Sequence, residues 1–289
     1  MCELDQLDTM GRVDRRQFTR MGVVLGAGAT MAACSTTVGA EGGLTERMVT
    51  FSAAGGTMDG FFVHPAGTKS PAVILWPDIA GLRPAKMAMG RRLAAAGYAV
   101  LVANPFYRSV AGVQFEDFAA FRDEGGFDKV RPWMAANTPE AVMETAKSVV
   151  TWLDAQDAVD SAKGIGNQGY CMTGSWTIYS AAAVPGRVKA AASFHGGGLV
   201  GDAANAPVNL LDDLADDARV LIAIAKNDDA RAPTDKDALR AAATAAGADV
   251  EIEVYEGDHG WTVLDSPVYN EAAAERAWSR LLATYQAAL

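Results

Sequence analysis

The stretch Gly164–Gly174, with the sequence GIGNQGYCMTG, decides the fold of this chain. Gly164–Tyr170 is predicted to form a strand, and Ser175–Ala183 after it has the composition of a helix. The glycines around Cys171 favour a tight turn between the two. A cysteine on such a turn lies near the positive end of the helix dipole, which favours the thiolate. We therefore expect Cys171 to be more acidic than a free cysteine and to be a candidate nucleophile.

The residues around Cys171 match a known catalytic turn only in part. Gly169, Tyr170 and Cys171 begin the GxSxG nucleophile-elbow pattern, with sulfur in place of the hydroxyl. The pattern then changes, because Thr173 stands at its last position and the glycine follows at Gly174. A branched side chain at this point predicts a slightly wider turn. The alternative interpretation of Cys171 is a buried structural cysteine, since cysteine is among the most buried residue types.

Short apolar runs alternate with helical patterns from Thr45 to Leu289. The predicted strands are Met48–Phe51, Asp59–His64, Ala72–Trp76, Tyr98–Ala103, Gly164–Tyr170, Val188–Phe194, Val220–Ala225 and Val250–Tyr255. The predicted helices are Lys86–Ala96, Thr138–Ala155, Ser175–Ala183, Thr234–Ala246 and Asn270–Ala288. This alternation predicts an α/β fold, in which a doubly wound, mostly parallel sheet carries helices on both faces. In such sheets reactive groups collect at the carboxyl ends of the strands.

The alternation stops between Arg108 and Asn137, where aromatic residues are frequent. Phe115, Phe118 and Phe121 recur at helical spacing in this segment. One interpretation is a small helix that packs its aromatic rings onto the core, and the other is a distinct cap domain. Either could form one wall of a pocket above the strand ends.

The composition of the chain excludes several classes of protein. Its 289 residues are 50% hydrophobic and 21% charged, which excludes a disordered chain. The formal net charge of −10 argues against binding to nucleic acid or to an anionic membrane surface. The three cysteines, Cys2, Cys34 and Cys171, are too few and too far apart for a zinc cage or a disulfide scaffold. We therefore expect a globular protein without a metal site.

Residues 1–40 are predicted to be an export signal, followed by a single domain over residues 45–289. Residues 12–20 contain four arginines, and residues 21–31 carry no charge and are too few to cross a bilayer as a helix. Arg15 and Arg16 resemble a twin-arginine signal. Met31–Cys34 resembles a bacterial lipobox, in which Cys34 would be lipidated; the rival is cleavage after Ala40, which releases a soluble periplasmic protein. A third interpretation is an ordinary buried first helix, but nothing in the segment is amphipathic, which argues against it.

A thiol nucleophile needs a base, and the base needs an acid that orients it. His259 follows the last predicted strand, and Asp228 follows the strand before it. The order Cys171, Asp228, His259 is the nucleophile, acid, histidine order of the α/β-hydrolases. Asp229 is the competing acid, because a shift of one residue in the turn would exchange the two. His64 precedes a proline on an early strand and is interpreted as structural.

The remaining site residues surround this predicted triad. The oxyanion hole is expected to combine the backbone N–H of Met172 with that of Ile79, in the loop after the strand Ala72–Trp76. Asp78 would then lie beside the thiol. Tyr170 and His195 are expected to line the substrate pocket together with Asp78, although His195 could also be a strand-end histidine with its hydrogen bonds satisfied.

Together these residues resemble the dienelactone hydrolase family of α/β-hydrolases over roughly residues 45–289. The resemblance rests on five segments: Trp76–Leu82 (WPDIAGL), Leu93–Phe106 (LAAAGYAVLVANPF), Gly169–Gly174 (GYCMTG), Ala225–Pro233 (AKNDDARAP) and Gly257–Gly260 (GDHG). It implies hydrolysis of an ester or lactone through a cysteinyl thioester, with no metal and no organic cofactor. The chain departs from the pattern of this family at two positions: members often have glutamate where this chain has Asp78, and they have glycine where it has Thr173. The resemblance does not assign a substrate-binding arginine near Arg108.

The predicted partner is therefore a small-molecule ester or lactone. The predicted contact with a membrane is limited to the export signal or a lipid anchor at Cys34. The alternative function is an exported binding protein that keeps the fold, with weak or no activity and an incidental thiol. A cysteine-dependent amidotransferase or peptidase would have the histidine before the acid, whereas here Asp228 precedes His259.

Overall fold

A computed structural model describes residues 43–289, and one eight-stranded sheet runs through them. Its strands are β1 (Leu44–Ala53), β2 (Gly56–Pro65), β3 (Ala72–Trp76), β4 (Ala99–Ala103), β5 (Ile165–Tyr170), β6 (Val188–Phe194), β7 (Arg219–Ala225) and β8 (Asp249–Tyr255). Their order across the sheet is β1-β2-β4-β3-β5-β6-β7-β8. Strand β2 is antiparallel to both of its neighbours, and all other neighbouring strands are parallel.

Helices connect the parallel strands and cover the sheet. Within the described residues the α-helices are α1 (Pro84–Ala95), α2 (Phe118–Asp123), α3 (Gly126–Met134), α4 (Pro139–Asp154), α5 (Trp176–Ala183), α6 (Lys226–Arg231), α7 (Asp235–Ala246) and α8 (Glu271–Ala288). A 3₁₀ turn, Cys171–Thr173, stands between β5 and α5. None of these helices is both long enough and apolar enough to cross a membrane.

The sheet separates two apolar cores. Val149 of α4, Ile178 of α5 and Leu239 of α7 belong to one core, and Leu93 of α1 and Leu281 of α8 belong to the other. Every residue of the central strands β3 and β4 is buried, as their continuously apolar sequences predict. Each fully buried aliphatic side chain contributes about 1.5–3 kcal/mol relative to an exposed one. The predicted doubly wound sheet with helices on both faces is therefore confirmed.

Most predicted elements lie where the sequence pattern indicated. The bounds of β3 and β6 are the predicted ones, and the two opening strands pair antiparallel around Gly55. Helix α4 begins after Thr138, whose hydroxyl accepts a hydrogen bond from the N–H of Ala141 at 3.2 Å. The short helix α6 was not predicted, because four of its six residues are charged and none is buried.

The aromatic segment forms two short helices, α2 and α3. Phe115, Phe118 and Phe121 are all buried in the core, with Phe121 in edge-on contact with Phe115. This agrees with the interpretation of helices that pack their rings onto the core. The predicted export signal, its Arg15–Arg16 pair and Cys34 lie outside the described residues.

Candidate active site

Cys171 follows the last residue of β5 and begins the 3₁₀ turn that leads into α5. Its φ angle is +54°, in the left-handed region that non-glycine residues rarely adopt. The carbonyl oxygen of Cys171 accepts hydrogen bonds from the N–H groups of Gly174 and Gly197, both at 3.1 Å. These two bonds hold the turn in its strained conformation. A strained turn at this point is the local geometry that presents a nucleophile above a sheet.

The turn is tight because two neighbouring positions lack side chains. A Cβ atom at Gly169 would lie 2.1 Å from the carbonyl oxygen of Thr173, and one at Gly174 would lie 2.3 Å from the Cα of Gly196. The hydroxyl of Thr173 accepts a hydrogen bond from the N–H of Tyr170 at 2.9 Å and lies 2.9 Å from the carbonyl oxygen of Trp76. Thr173 therefore links the end of β5 to the end of β3, and the glycines on either side provide the space.

Asp228 and His259 meet at the carboxyl end of the sheet. The Nδ1 atom of His259 lies 2.6 Å from Oδ2 of Asp228. The backbone N–H of His259 donates to the side-chain oxygen of Asn227 at 2.8 Å, which positions the loop that follows β8. Asp229, the competing acid, instead pairs with Lys236 at 2.6 Å. The described structure thus brings Asp228 to the histidine and turns Asp229 away from it.

His259 is paired electrostatically with the thiol as well as with Asp228. Burial by itself lowers the pKa of His259, but the negative charge of Cys171 and a hydrogen bond to Asp228 raise that pKa to about 10. A side-chain hydrogen bond between His259 and Cys171 acts in the same direction. Since Nδ1 is bound to Asp228, Nε2 is the ring nitrogen left for the sulfur. The arrangement favours a thiolate beside an imidazolium at neutral pH.

The loop after β3 carries the predicted oxyanion donor. The side chain of Ile79 is buried and lines the pocket at Cys171. The N–H groups of Ala80 and Gly81 turn back onto Asp78, the first onto its carboxylate and the second onto its carbonyl oxygen, both at 2.9 Å. Met172 is buried at the second position of the 3₁₀ turn, directly after Cys171. The two predicted donor residues therefore lie on the two segments that approach the sulfur.

Asp78 lines the same pocket, but two cations hold its carboxylate. Arg83 donates to both carboxylate oxygens of Asp78, at 2.7 and 3.0 Å, and Lys86 lies 2.9 Å from one of them. Burial raises the pKa of Asp78, but the charges of Arg83 and Lys86 outweigh it and hold this pKa well below its usual range. Arg83 is fully buried and also donates to both oxygens of Asp265, in the loop after His259. The buried Asp78 and the partly buried Asp265 are thus neutralised by two buried bases, Arg83 and Lys86.

Arg83 joins three segments that surround the pocket. Through Asp78 it holds the oxyanion loop, and through Asp265, which is 182 residues away in sequence, it holds the loop of His259. Asp265 also accepts a hydrogen bond from the N–H of Phe118, at the first residue of α2. The relative positions of oxyanion loop, histidine loop and aromatic segment therefore depend on one guanidinium group.

His195 lies at the end of β6 and lines the pocket with Cys171 and His259. It is fully buried, and its φ angle of +40° is again in the left-handed region. Its Nε2 atom lies 3.0 Å from the hydroxyl of Thr262, and its ring centre lies 4.9 Å from that of His259. Burial, and then the charge of His259, hold the pKa of His195 well below its usual value, so this ring stays neutral.

One of the predicted pocket residues, Tyr170, lies away from this pocket, as does His64, which was interpreted as structural. The ring of Tyr170 lies on the α1 side of the sheet, 3.9 Å from the Nζ atom of Lys86, and lines a separate cavity between α1 and α8. Side chains alternate along a strand, so the residue before the nucleophile points to one face of the sheet and away from the pocket. His64 is on β2, where its Nδ1 contacts the carbonyl oxygen of Pro65 at 2.9 Å. No cluster of three metal-ligating side chains occurs within residues 43–289.

Comparison with known proteins decides the family. The model of the dienelactone hydrolase family matches residues 58–289. The chain belongs to the dienelactone hydrolase family. Membership of this family supports a hydrolase. A search of curated proteins gives no match.

Solved structures of dienelactone hydrolase type have the same fold. A protein from Klebsiella pneumoniae subsp. pneumoniae MGH 78578, named for dienelactone hydrolase, is 26% identical, with a TM-score of 0.70 over 84% of this chain and 98% of that one. The dienelactone hydrolase-like promiscuous phosphotriesterase P91 from metagenomic libraries is 21% identical, with a TM-score of 0.65 over 84% and 98% of the two chains. The dienelactone hydrolase from Anabaena variabilis ATCC 29413 is 16% identical, with a TM-score of 0.58 over 84% and 99%.

Several residues that shape the site of this dienelactone hydrolase family member were not predicted. Arg83, Asn227 and Thr262 hold, respectively, the oxyanion loop, the histidine loop and the ring of His195. Asn227 directly precedes Asp228, and Arg83 follows Asp78 by five residues in a loop already singled out. Their proximity in sequence to predicted site residues was a usable signal. Thr262 lies three residues after His259, but its pairing with His195 depends on where the loop after β8 folds back.

Proposed function

We propose that this protein hydrolyses small carboxylic esters or lactones through a thioester on Cys171. The observation that carries the proposal is the 2.6 Å contact between His259 Nδ1 and Asp228 Oδ2, beside a pocket that Cys171 and His259 both line. A nucleophile on a strained turn, a base within its reach and an acid that orients the base are the requirements of covalent acyl transfer.

In the proposed acylation step, the Cys171 thiolate attacks the carbonyl carbon of the substrate. The electron pair of the carbonyl moves to oxygen, and the N–H groups of Met172 and Ile79 stabilise the oxyanion. When the intermediate collapses, the carbon–oxygen bond to the alcohol breaks. The imidazolium of His259 gives its Nε2 proton to the leaving alkoxide. Asp228 stays ionised and keeps the remaining proton of the ring on Nδ1.

In the proposed deacylation step, neutral His259 takes a proton from water at Nε2. The oxygen of that water attacks the thioester carbonyl, and the carbon–sulfur bond then breaks. The electron pair of this bond returns to sulfur, which restores the thiolate beside the imidazolium. The products are a carboxylic acid and the resting enzyme.

The walls of the pocket favour a small, uncharged substrate. Ile79, Phe118 and Val263 supply apolar contacts, and the enclosed space, part of it open to solvent, is about 280 Å³. No lysine or arginine is among the residues 43–289 that line this pocket. Arg108 is occupied elsewhere, because it donates to the carbonyl oxygen of Ala141 and to the hydroxyl of Thr145. A carboxylate on the substrate would therefore find no lysine or arginine in the pocket wall, and His259 is already paired with Asp228.

The test is turnover of a panel of p-nitrophenyl esters and small lactones by matched variants. Cys171→Ala should abolish turnover, and Asp228→Asn should lower kcat by two or more orders of magnitude, since loss of the orienting acid costs about 10⁴-fold in a serine protease. Asp229→Asn is the matched control, because Asp229 pairs with Lys236, and it should retain activity. Intact mass after mixing should show an acyl adduct on Cys171. Full activity in Cys171→Ala would rule out the proposed mechanism.

Two other functions can be separated by the same panel. The binding-module alternative predicts no turnover and no acyl adduct for any ester, and family membership argues against it. Because one structural neighbour is a promiscuous phosphotriesterase, the panel should include an aryl phosphotriester. Turnover of the phosphotriester but not of the esters would redirect the proposal to phosphoryl substrates.

We further propose that residues 1–40 act as an export signal that brings the hydrolase to the periplasm. The support is the Arg15–Arg16 pair followed by a short uncharged run and by the lipobox-like Met31–Cys34. Labelling of cells with radioactive palmitate separates the two outcomes. Label that disappears in Cys34→Ala supports a lipid anchor, whereas no label together with periplasmic activity supports ordinary cleavage. Activity confined to the cytoplasm would overturn the proposal of export.

A further inference from the structure

His195 combines two features that are costly in a folded protein. A left-handed backbone conformation, such as the φ of +40° at His195, is strained in a residue other than glycine. A buried polar atom without a hydrogen bond is also unfavourable, and the Nδ1 atom of His195 makes none to any other residue among residues 43–289. Backbone strain and unsatisfied buried polar atoms are found preferentially at functional sites. Both features occur here in the wall of the pocket that contains Cys171.

The position of His195 relative to His259 suggests a functional role for His195. The two rings lie 4.9 Å apart at an angle of 61°, and both line the pocket. Thr262 holds Nε2 of His195, so Nδ1 is the ring nitrogen left to face a reactant. A water molecule typically makes about three hydrogen bonds when it is held among buried polar groups. The unsatisfied Nδ1 of His195 is therefore a site for such a water, in the wall of the pocket that His259 also lines.

We propose that His195 positions the water that hydrolyses the thioester, by a hydrogen bond between this water and Nδ1 of His195. The inference rests on the proposed function, because it needs an acyl group on Cys171. His259 acts as the base and takes one proton of the water, and the oxygen attacks the thioester carbonyl. The carbon–sulfur bond breaks with its electron pair on sulfur, and His259 ends as the imidazolium. His195 gains and loses no proton in this step; it fixes the direction of the water's lone pair.

The neutral state of His195 fits this role. A second imidazolium next to His259 would repel the proton that His259 must accept, and burial together with the charge of His259 keeps His195 neutral. Asp78 and Lys86 are the other charged groups that act on His195, and their effects on it oppose each other. His195 is therefore a positioning residue for deacylation and is not expected to contribute to acylation.

The test separates formation of the acyl-enzyme from its decay. Full-length protein is mixed with p-nitrophenyl acetate, the reaction is quenched at intervals, and intact mass follows the acetyl adduct on Cys171. His195→Phe keeps an aromatic ring without a nitrogen. We expect acylation to stay within about threefold of the original rate and decay of the adduct to slow by about 10- to 100-fold. Hydroxylamine, which attacks a thioester without a positioned water, should restore release.

Two further variants cover the case in which His195→Phe fails to fold. His195→Asn tolerates a left-handed backbone and places a polar atom near the position of Nδ1, so it should retain more deacylation than His195→Phe. Thr262→Val leaves His195 in place but removes the partner of Nε2, and it should slow decay more than formation of the adduct. The inference would be overturned if formation and decay of the adduct slowed equally. It would also be overturned if both Thr262→Val and His195→Asn released the adduct at the original rate. Absence of any adduct on Cys171 in the original protein would instead overturn the proposed function.

Discussion

Replacement of His259 by glutamine tests the thiolate–imidazolium pair most directly. The charges around His259 raise its pKa from about 6.5 to about 10 against the opposing effect of burial. The negative charge of Cys171 is the first of the effects that raise this pKa, ahead of the hydrogen bond to Asp228. Coupling between two groups is mutual, so the imidazolium in turn lowers the pKa of the Cys171 thiol. The thiolate character of Cys171 at neutral pH therefore depends on His259.

In His259→Gln this pairing is lost, and a thiol with the reference pKa of about 8.5 is only about 3% thiolate at pH 7. Alkylation of Cys171 by iodoacetamide should then slow by about 10-fold or more at this pH. The rate is measured by peptide mass spectrometry from pH 5.5 to 9.5, which separates Cys171 from Cys2 and Cys34. His64→Gln, on β2 outside the pocket, is the matched control. Equal rates for His259→Gln and the original protein at pH 7 would refute the reasoning, as would an original profile that rises only above pH 8.5.

Three further predictions concern stability. Arg83→Met removes the guanidinium from the buried carboxylate of Asp78, which keeps Lys86, and from the partly buried carboxylate of Asp265. It should lower the free energy of unfolding by about 3–5 kcal/mol in guanidinium titrations, and a loss below about 1 kcal/mol would contradict it. Gly169→Ala places a methyl group against the carbonyl oxygen of Thr173 and should lower the free energy of unfolding by more than about 2 kcal/mol. Gly186→Ala is the control, because a Cβ atom there has nothing within 4 Å, and it should change the free energy of unfolding by about 0.5 kcal/mol or less. Similar values for the two variants would contradict the packing argument. The lowered pKa of Asp78 means that its stabilising charge is fully present above about pH 4 and is lost as the pH falls below that value. Asp78→Asn should therefore unfold less steeply with acid, and an unchanged acid profile would argue against this role.

Much of the fold follows from patterns that are local in sequence. Apolar runs such as Ala72–Trp76 and Val188–Phe194 predict strands with the observed bounds, because a strand covered on both faces has no polar side to interrupt it. The helix Lys226–Arg231 could not be predicted in this way, since it is short, charged and without a buried face. Its hydrogen bonds form because the turn after β7 brings these residues together.

The order of Cys171, Asp228 and His259 along the chain, each following a strand, was determined by the sequence, because parallel strands place their carboxyl ends at one edge of the sheet. The choice between Asp228 and Asp229 was decided only by the tertiary structure, since neighbouring residues of α6 point in different directions and only one of them meets the histidine.

The same distinction holds for the pocket wall. That Tyr170 points to α1 depends on the pleat of β5, and that Arg83 reaches Asp265 depends on two loops 182 residues apart in sequence. The neutral, strained His195 likewise depends on Thr262 from a distant loop. Local patterns of polarity and turn residues are encoded by neighbours along the chain, whereas the pairing of buried polar groups depends on which loops the completed sheet brings into contact.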